Sequence, residues 1–348
     1  MDLKNIRCGR NKSINIKRQT GMKTAVMVRW TAILFIITGL LTGACTMVKS
    51  KPAAAVPYAE YLNVPYGEDS NQKFDMSVPY VHDGTANVFL FIHGGSLLNG
   101  DKNTYPRYLD KYRGRHIFVT MNYRFVNGGV HVADILLDVN ETIKTIKNTA
   151  ESMGIVPQKL IIMGHSAGAQ LTLLYSYKYF DQAAIPIAFC IGTASPADFT
   201  DPSYYSMAKN NLGNFKDGLK TLVQLGAFYT GEAIRESDIA TDELFDQTVS
   251  NYFTGISPVY FVSGNCPPTI LVHDTGDETV PYSNAIGLRN TLNVFNVPNV
   301  LISSTDNLGH DLGETGDSRP VFGAHKETVS WLPRLLAKID EYITLYGK

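Results

Sequence analysis

The chain has 348 residues, 44% of them hydrophobic and 18% charged, with 31 basic against 32 acidic side chains and a formal net charge of -1. That balance describes an ordinary globular protein able to bury a core without disulfides or metals. It lacks the basic excess a nucleic-acid partner wants, and no CxxC or clustered Cys/His spacing points to a metal or other cofactor.

Residues 1–48 read as an export signal. Arg7, Arg10, Lys12, Lys17, Arg18, Lys23 and Arg29 precede an uncharged run over residues 30–48, in which the small residues Thr42, Gly43 and Ala44 lead to Cys45. Met22 offers an alternative start that gives a signal of normal length. The layout is similar to a bacterial lipoprotein signal, which implies Cys45 as the lipidated mature N-terminus and a lipid anchor in a membrane. Thr42 stands where such signals usually carry Leu. A cleaved secretory signal fits the same run, and so does an uncleaved anchor, because the run approaches the roughly 20 residues that span a bilayer. All three readings place the protein outside the cytoplasm. Residues 49–57, rich in Lys, Pro and Ala, read as a tether, and residues 58–348 as one domain.

Along that domain, short apolar runs alternate with amphipathic stretches. Strands are expected at 86–93 (ANVFLFIH), 116–123 (HIFVTMNY), 159–165 (KLIIMGH), 185–194 (IPIAFCIGTA), 269–273 (TILVH) and 300–304 (VLISS). Val132, Ile135, Leu136, Val139, Ile143 and Ile146 recur at helical spacing, a second helix is expected over 167–179, and a last one from about Gly323 to Tyr346. Alternation of this kind implies an α/β fold, a mostly parallel sheet with helices on both faces. Residues 199–254 are too long for an ordinary connection and hold Tyr204, Tyr205, Phe215, Phe228, Tyr229, Tyr252 and Phe253. They read as a cap insertion over the sheet's C-terminal edge, or as a peripheral excursion away from substrate. Cys190 and Cys266 follow the signal, and an oxidising compartment would permit a bridge; two buried free thiols fit equally well.

Gly164-His165-Ser166-Ala167-Gly168 ends an apolar strand and opens a helix. That is the context of a nucleophile elbow, in which flanking glycines avoid collisions and the serine is pushed out above the sheet. A serine hydroxyl needs a base and donors where the oxyanion forms. Phe91-Ile92-His93-Gly94-Gly95-Ser96 supplies a strand end followed by a glycine pair, so Gly95, Ser96 and Ala167 are the candidate N–H donors. His93 reads as a brace for that loop. Such an elbow is followed in chain order by its acid and then its histidine. Asp277 in the loop DTGDETVP is the expected acid, with Asp274, Glu278 and Asp198 as rivals. Among eight histidines, His310 after the last strand is the expected base; His273 reads as buried and structural, and His325 lies beyond the loop.

FIHGGSLLNGDK, MNYRF, GHSAG, ISPV, CPPT, HDTGDETVPY and LGHD together resemble the esterase/lipase branch of the α/β-hydrolase superfamily, which includes acetyl, feruloyl and acetylxylan esterases and kynurenine formamidase-like enzymes. The resemblance runs from about Leu90 to His310. It implies an α/β-hydrolase fold and places that branch's site residues on Gly94, Gly95, Ser166, Ala167, Asp277 and His310. Ser96-Leu97 replaces the usual Gly-Trp after the glycine pair, and Asp274 replaces a usual Gly, adding a charge expected to alter substrate preference. The expected function is hydrolysis of small carboxylic esters, acetyl or feruloyl groups on carbohydrates included, through an acyl-enzyme. The alternatives are amide or peptide hydrolysis, against which Ala169 stands where prolyl peptidases carry Gly, and a non-catalytic glycan- or partner-binding surface protein.

Overall fold

A computed structural model of the chain describes residues 57–204, 224–233, 252–313 and 329–348. The expected export signal with Cys45, nearly all of the tether, and Tyr205, Phe215, Gly323 and His325 lie outside the described residues. Among the described residues no helix is long and apolar enough to cross a membrane.

Eight strands form one sheet: β1 Tyr58–Pro65, β2 Lys73–Pro79, β3 Thr85–Ile92, β4 Ile117–Met121, β5 Val156–His165, β6 Ile187–Thr193, β7 Thr269–Asp274 and β8 Asn299–Ser304. Their order is β1-β2-β4-β3-β5-β6-β7-β8; β1, β2 and β4 pair antiparallel, and every pair from β4 to β8 is parallel. The fold is that of an α/β hydrolase. Central strands run apolar on both faces because helices cover both. In β3, Val88, Leu90 and Ile92 enter one core and Phe89 and Phe91 the other. The first core is closed by α1 (Val132–Ser152) and α2 (Ala167–Lys178), the second by α4 (Trp331–Tyr346). The helix α3 (Ser283–Val294) follows the acid loop.

Besides α3, whose buried apolar residues are only Ala285, Leu288 and Leu292, two strands are not expected from periodicity. The strand β2 does alternate, with Phe74, Met76 and Val78 buried, but β1 is mostly exposed and has no apolar stripe to read. Among the described residues the last helix runs Trp331–Tyr346 and buries Trp331, Leu335, Ile339 and Tyr342 on one face; the expected start near Gly323 lies outside them. The described part of the insertion holds a short helix over 224–230. Cys190 and Cys266 are both free and buried, so no bridge forms. Burial pushes the Cys190 thiol up to about 12, which leaves it inert at neutral pH.

Candidate active site

The strand β5 ends at His165, and the chain turns into α2 at Ser166, whose backbone sits at φ 54 and ψ -124. A non-glycine residue in that region stores strain that its surroundings must hold. Here close contact holds it. A Cβ on Gly164 would lie 2.2 Å from the Gly168 carbonyl oxygen, and one on Gly168 would lie 2.2 Å from that of Ile92. The Ser166 N–H donates to the Thr193 carbonyl at 2.9 Å, pinning the turn to β6.

The Ser166 hydroxyl lies 2.8 Å from His310 Nε2, and His310 Nδ1 lies 2.9 Å from Asp277 Oδ2. The structure thus brings the three expected residues, from three different loops, into one hydrogen-bonded line. The Asp277 side chain is fully buried and His310 is half-buried. Asp277 Oδ1 accepts the N–H groups of Thr279 and Val280, each at 2.8 Å. Burial pushes the Asp277 carboxyl up, but His273, His310 and the Val280 N–H outweigh it and hold the group well below the usual carboxylate range.

Of the rivals, Asp274 is fully buried and accepts from Ser304 Oγ at 2.6 Å and the Gly276 N–H at 2.8 Å. It braces the loop and lines neither cavity near the elbow, which corrects the expectation that its charge would tune substrate preference. Glu278 is exposed, and Asp198 accepts from Thr200 in a local turn. His93 does brace its loop: Nδ1 lies 2.7 Å from the Gly94 carbonyl oxygen, and the ring stacks on Tyr123 at 4.4 Å.

The glycine pair lies where expected. A Cβ on Gly94 would stand 3.1 Å from that of Ser166, and Gly95, Ser96 and Leu97 all adopt positive φ, at 111, 55 and 60. The residues that hold this loop were not singled out from sequence. Lys102, buried, pairs with Asp75 at 2.8 Å, Asn122 Oδ1 accepts the Lys102 N–H, and the Tyr123 hydroxyl donates to the His93 carbonyl at 3.0 Å. Arg124 grips Asp138 of α1 with bonds of 2.7 and 3.0 Å. The signal was the MNYRF string itself, whose polar residues directly follow a fully buried strand.

Of two cavities near the elbow, one takes in Ser166 and the other reaches its neighbour His165. One, of about 240 Å³, is mainly apolar and lined by Ser96, Leu97, Ser166, Ala167, Phe199, Tyr204, Leu225, Tyr229, Ile256 and Val280, among others. The insertion therefore reaches the site: Leu225 and Tyr229 form part of this wall, and the Tyr229 hydroxyl donates to the Ser96 carbonyl at 2.9 Å. The Tyr204 hydroxyl is buried there with no hydrogen-bond partner among the described residues. The other cavity, of about 350 Å³, is a more polar cleft lined by His93, Gly94, Gly95, Asn99, Thr104, His165 and Asp311. The His165 ring packs 5.4 Å from that of His310. Desolvation and the neighbouring His310 push the His165 imidazole down to about 3, so it is neutral near pH 7. Among the described residues no cluster of His, Cys, Asp and Glu could hold a metal.

The BD-FAE family model matches residues 74–292, more than half of the chain. The chain belongs to the BD-FAE family. It falls in the esterase branch of the α/β-hydrolase superfamily. The BD-FAE match takes in Ser166 and Asp277 and stops short of His310. Among curated proteins, the chain is similar to two from Arabidopsis thaliana. "Probable isoprenylcysteine alpha-carbonyl methylesterase ICMEL2" is 28% identical over 155 residues, which cover 42% of this chain and 36% of the relative. Isoprenylcysteine alpha-carbonyl methylesterase ICME is 27% identical over 110 residues, covering 31% and 26%. The matched part thus spans little more than a third of these relatives at most. Among solved structures, a truncated carbohydrate esterase from gut microbiota superposes with a TM-score of 0.58 at 16% identity, covering 84% of this chain and 99% of that one. A Thermogutta terrifontis esterase superposes at 0.57 and 17% identity, covering 84% and 93%. At such identities the likeness is one of fold.

Proposed function

We propose that Ser166 is the nucleophile, His310 the general base and Asp277 the acid that orients it, and that the substrate is a carbohydrate carrying an acyl ester. The observation that carries the catalytic part is the line from Ser166 Oγ through His310 to a buried Asp277, at 2.8 and 2.9 Å. In this reading Ser166 Oγ attacks the ester carbonyl while His310 Nε2 takes its proton. The tetrahedral oxyanion sits against backbone N–H groups, those of Ser96 and Ala167 beside Ser166 in the apolar cavity and that of Gly95 next in the loop. His310 then protonates the departing alkoxide, leaving an acyl-enzyme. A water delivered through the same histidine hydrolyses it and restores Ser166.

The two cavities support the division of the substrate. The apolar one is larger than an acetyl group needs and suits a bulkier acyl chain such as an aromatic one, with Phe199 and Tyr204 stacked 5.5 Å apart in its wall. Leaving a buried hydroxyl unpaired costs about 1–3 kcal/mol; a polar substituent on the acyl group would satisfy that of Tyr204. The polar cleft reaches His165 and Asp311, the chain neighbours of Ser166 and His310, and its Asn99, Thr104 and Asp311 suit a hydroxyl-rich alcohol. Export to a glycan-rich exterior through the N-terminal signal, with Cys45 lipidated, fits the same reading; loss of radiolabelled palmitate from Cys45→Ser alone is the result expected of a lipoprotein.

The test is hydrolysis of p-nitrophenyl acetate, butyrate and octanoate, methyl ferulate and an acetylated xylo-oligosaccharide by wild type and Ser166→Ala. Loss of the serine is expected to lower kcat by several orders of magnitude, on the order of 10⁶. Equal rates for the two proteins would refute the assignment of Ser166, and turnover confined to simple alkyl esters would refute the carbohydrate reading.

A further inference from the structure

We infer that His273, at the end of β7, is a positioning residue for the reaction: it holds the acid loop closed and keeps Asp277 aimed at His310. This rests on the triad proposed above. Three contacts carry it. His273 Nε2 lies 3.0 Å from the Val280 carbonyl oxygen, which can only accept, so Nε2 bears the proton in the neutral ring. The same nitrogen stands 3.2 Å from Asp277 Oδ2, the oxygen that receives His310. The Val280 N–H, on the other side of that residue, donates to Asp277 Oδ1.

His273 therefore closes a small circuit. It fixes the carbonyl of the residue whose N–H fixes the acid, and it turns the positive end of its own N–H dipole toward the acid's second oxygen. Both side chains are removed from water, at 1% and 0% exposure, where such dipoles are least screened. Without that dipole, Asp277 Oδ2 would carry more negative potential toward His310, and the loop 275–280 would lose its tie to β7. Other titratable groups near this pair are His165 from β5, whose ring faces His310, Tyr204 from the insertion, close enough to sense the Asp277 charge, and Tyr282 before α3, set edge-on to His273 at 5.8 Å. Of these, only His273 touches both the acid and its loop carbonyl. A buried imidazole N–H needs one acceptor, which the Val280 carbonyl supplies; the further contact to Asp277 is one that a purely structural histidine would not require.

The experiment compares wild type, His273→Phe and His273→Gln with p-nitrophenyl acetate, each corrected for active sites by titration with a p-nitrophenyl phosphonate. For His273→Phe, kcat per titrated site is expected to fall by roughly ten- to a hundredfold, as for other small misplacements of catalytic groups, while KM stays within about twofold. The acid limb of kcat/KM is expected to move to higher pH, and His273→Gln, which keeps an N–H, to recover part of kcat. Unchanged kcat per site with an unmoved acid limb, whatever the yield of folded protein, would overturn the inference. Should His273→Phe not fold, ¹⁵N-histidine NMR on wild type decides. The His273 Nε2–H resonance is expected to shift when the phosphonate charges His310, and a silent resonance would overturn the assignment equally. A failure of the triad itself looks different, because wild type then takes up no phosphonate.

Discussion

Around Ser166 the backbone is held mainly by close contact, with one hydrogen bond to Thr193, whereas around Asp277 it is held by hydrogen bonds. At the elbow, Gly164, Gly168 and Ile92 come so close that no Cβ fits, and Ser166 is forced to φ 54. At the acid loop the close approach is to a side chain, a Cβ on Gly276 lying 2.5 Å from Asn307 Oδ1, rather than to backbone. Asp277 Oδ1 takes two N–H groups, Asp274 ties Gly276 to Ser304, and His273 ties Val280. On the roles proposed for Ser166 and Asp277, the difference follows from what each group would do. A nucleophile must project from a sharp turn, so steric closeness at strand–helix crossing suits it. An acid must stay ionised while buried, so hydrogen-bond donors and nearby positive charge have to offset its desolvation.

The contrast can be broken at its steric end first. Gly168→Ala places a methyl group 2.2 Å from the Ile92 carbonyl oxygen. It is expected to cost more than about 4 kcal/mol, a size reserved for such backbone collisions, and urea unfolding will show it as a lowered midpoint or as no folded protein. Asp277→Asn probes the other end. The Asn oxygen can still accept from Thr279 and Val280, so the fold should survive, while the histidine loses its charged partner. The expected fall in kcat is on the order of 10⁴-fold, read per site after phosphonate titration, with near wild-type circular dichroism. A similar loss of folding in both variants would erase the distinction drawn here.

Acid should act on stability through buried imidazoles more than through the acid loop. Burial, with Arg115 nearby, pushes His116 down to about 4, and His165 is pushed down to about 3. Both folded values lie below the unfolded value of 6.5, so the unfolded chain binds more protons in that interval. Stability is then fully present above pH 6.5 and is lost as pH falls toward 4. Asp277, depressed as well, adds its loss only at lower pH, below its ordinary 3.8. Urea midpoints between pH 4 and 7 should fall with acid, less steeply in His116→Leu. The smallest effect is expected of Glu278→Gln: exposed and one residue from the acid, it makes no contact with His310 among those described, and kcat should stay within about twofold.

Much of the site was legible because its chemistry is carried by short strings. GHSAG after an apolar strand, a glycine pair after another, and an acidic loop and a histidine in the right order gave Ser166, Gly94, Gly95, Asp277 and His310. The bracing residues were not legible. Lys102, Asn122, Tyr123 and Arg124 look like ordinary loop residues until Asp75, Asp138 and the His93 carbonyl are seen beside them. His273 read as merely buried because its partners lie four and seven residues on, across a turn whose path spacing does not define.

By itself the sequence determined the parallel core of the sheet, the elbow and the chain order of the proposed triad residues, since apolar runs and glycines are local signals of burial and of tight turns. Only the tertiary structure decided that β1 joins the sheet edge, that Asp274 turns inward, that Leu225 and Tyr229 close a cavity over Ser166, and that the two cysteines stay apart. Each of these depends on which groups from distant parts of the chain meet in space, and a side chain's partner, unlike its periodicity, is not a property of its neighbours in sequence.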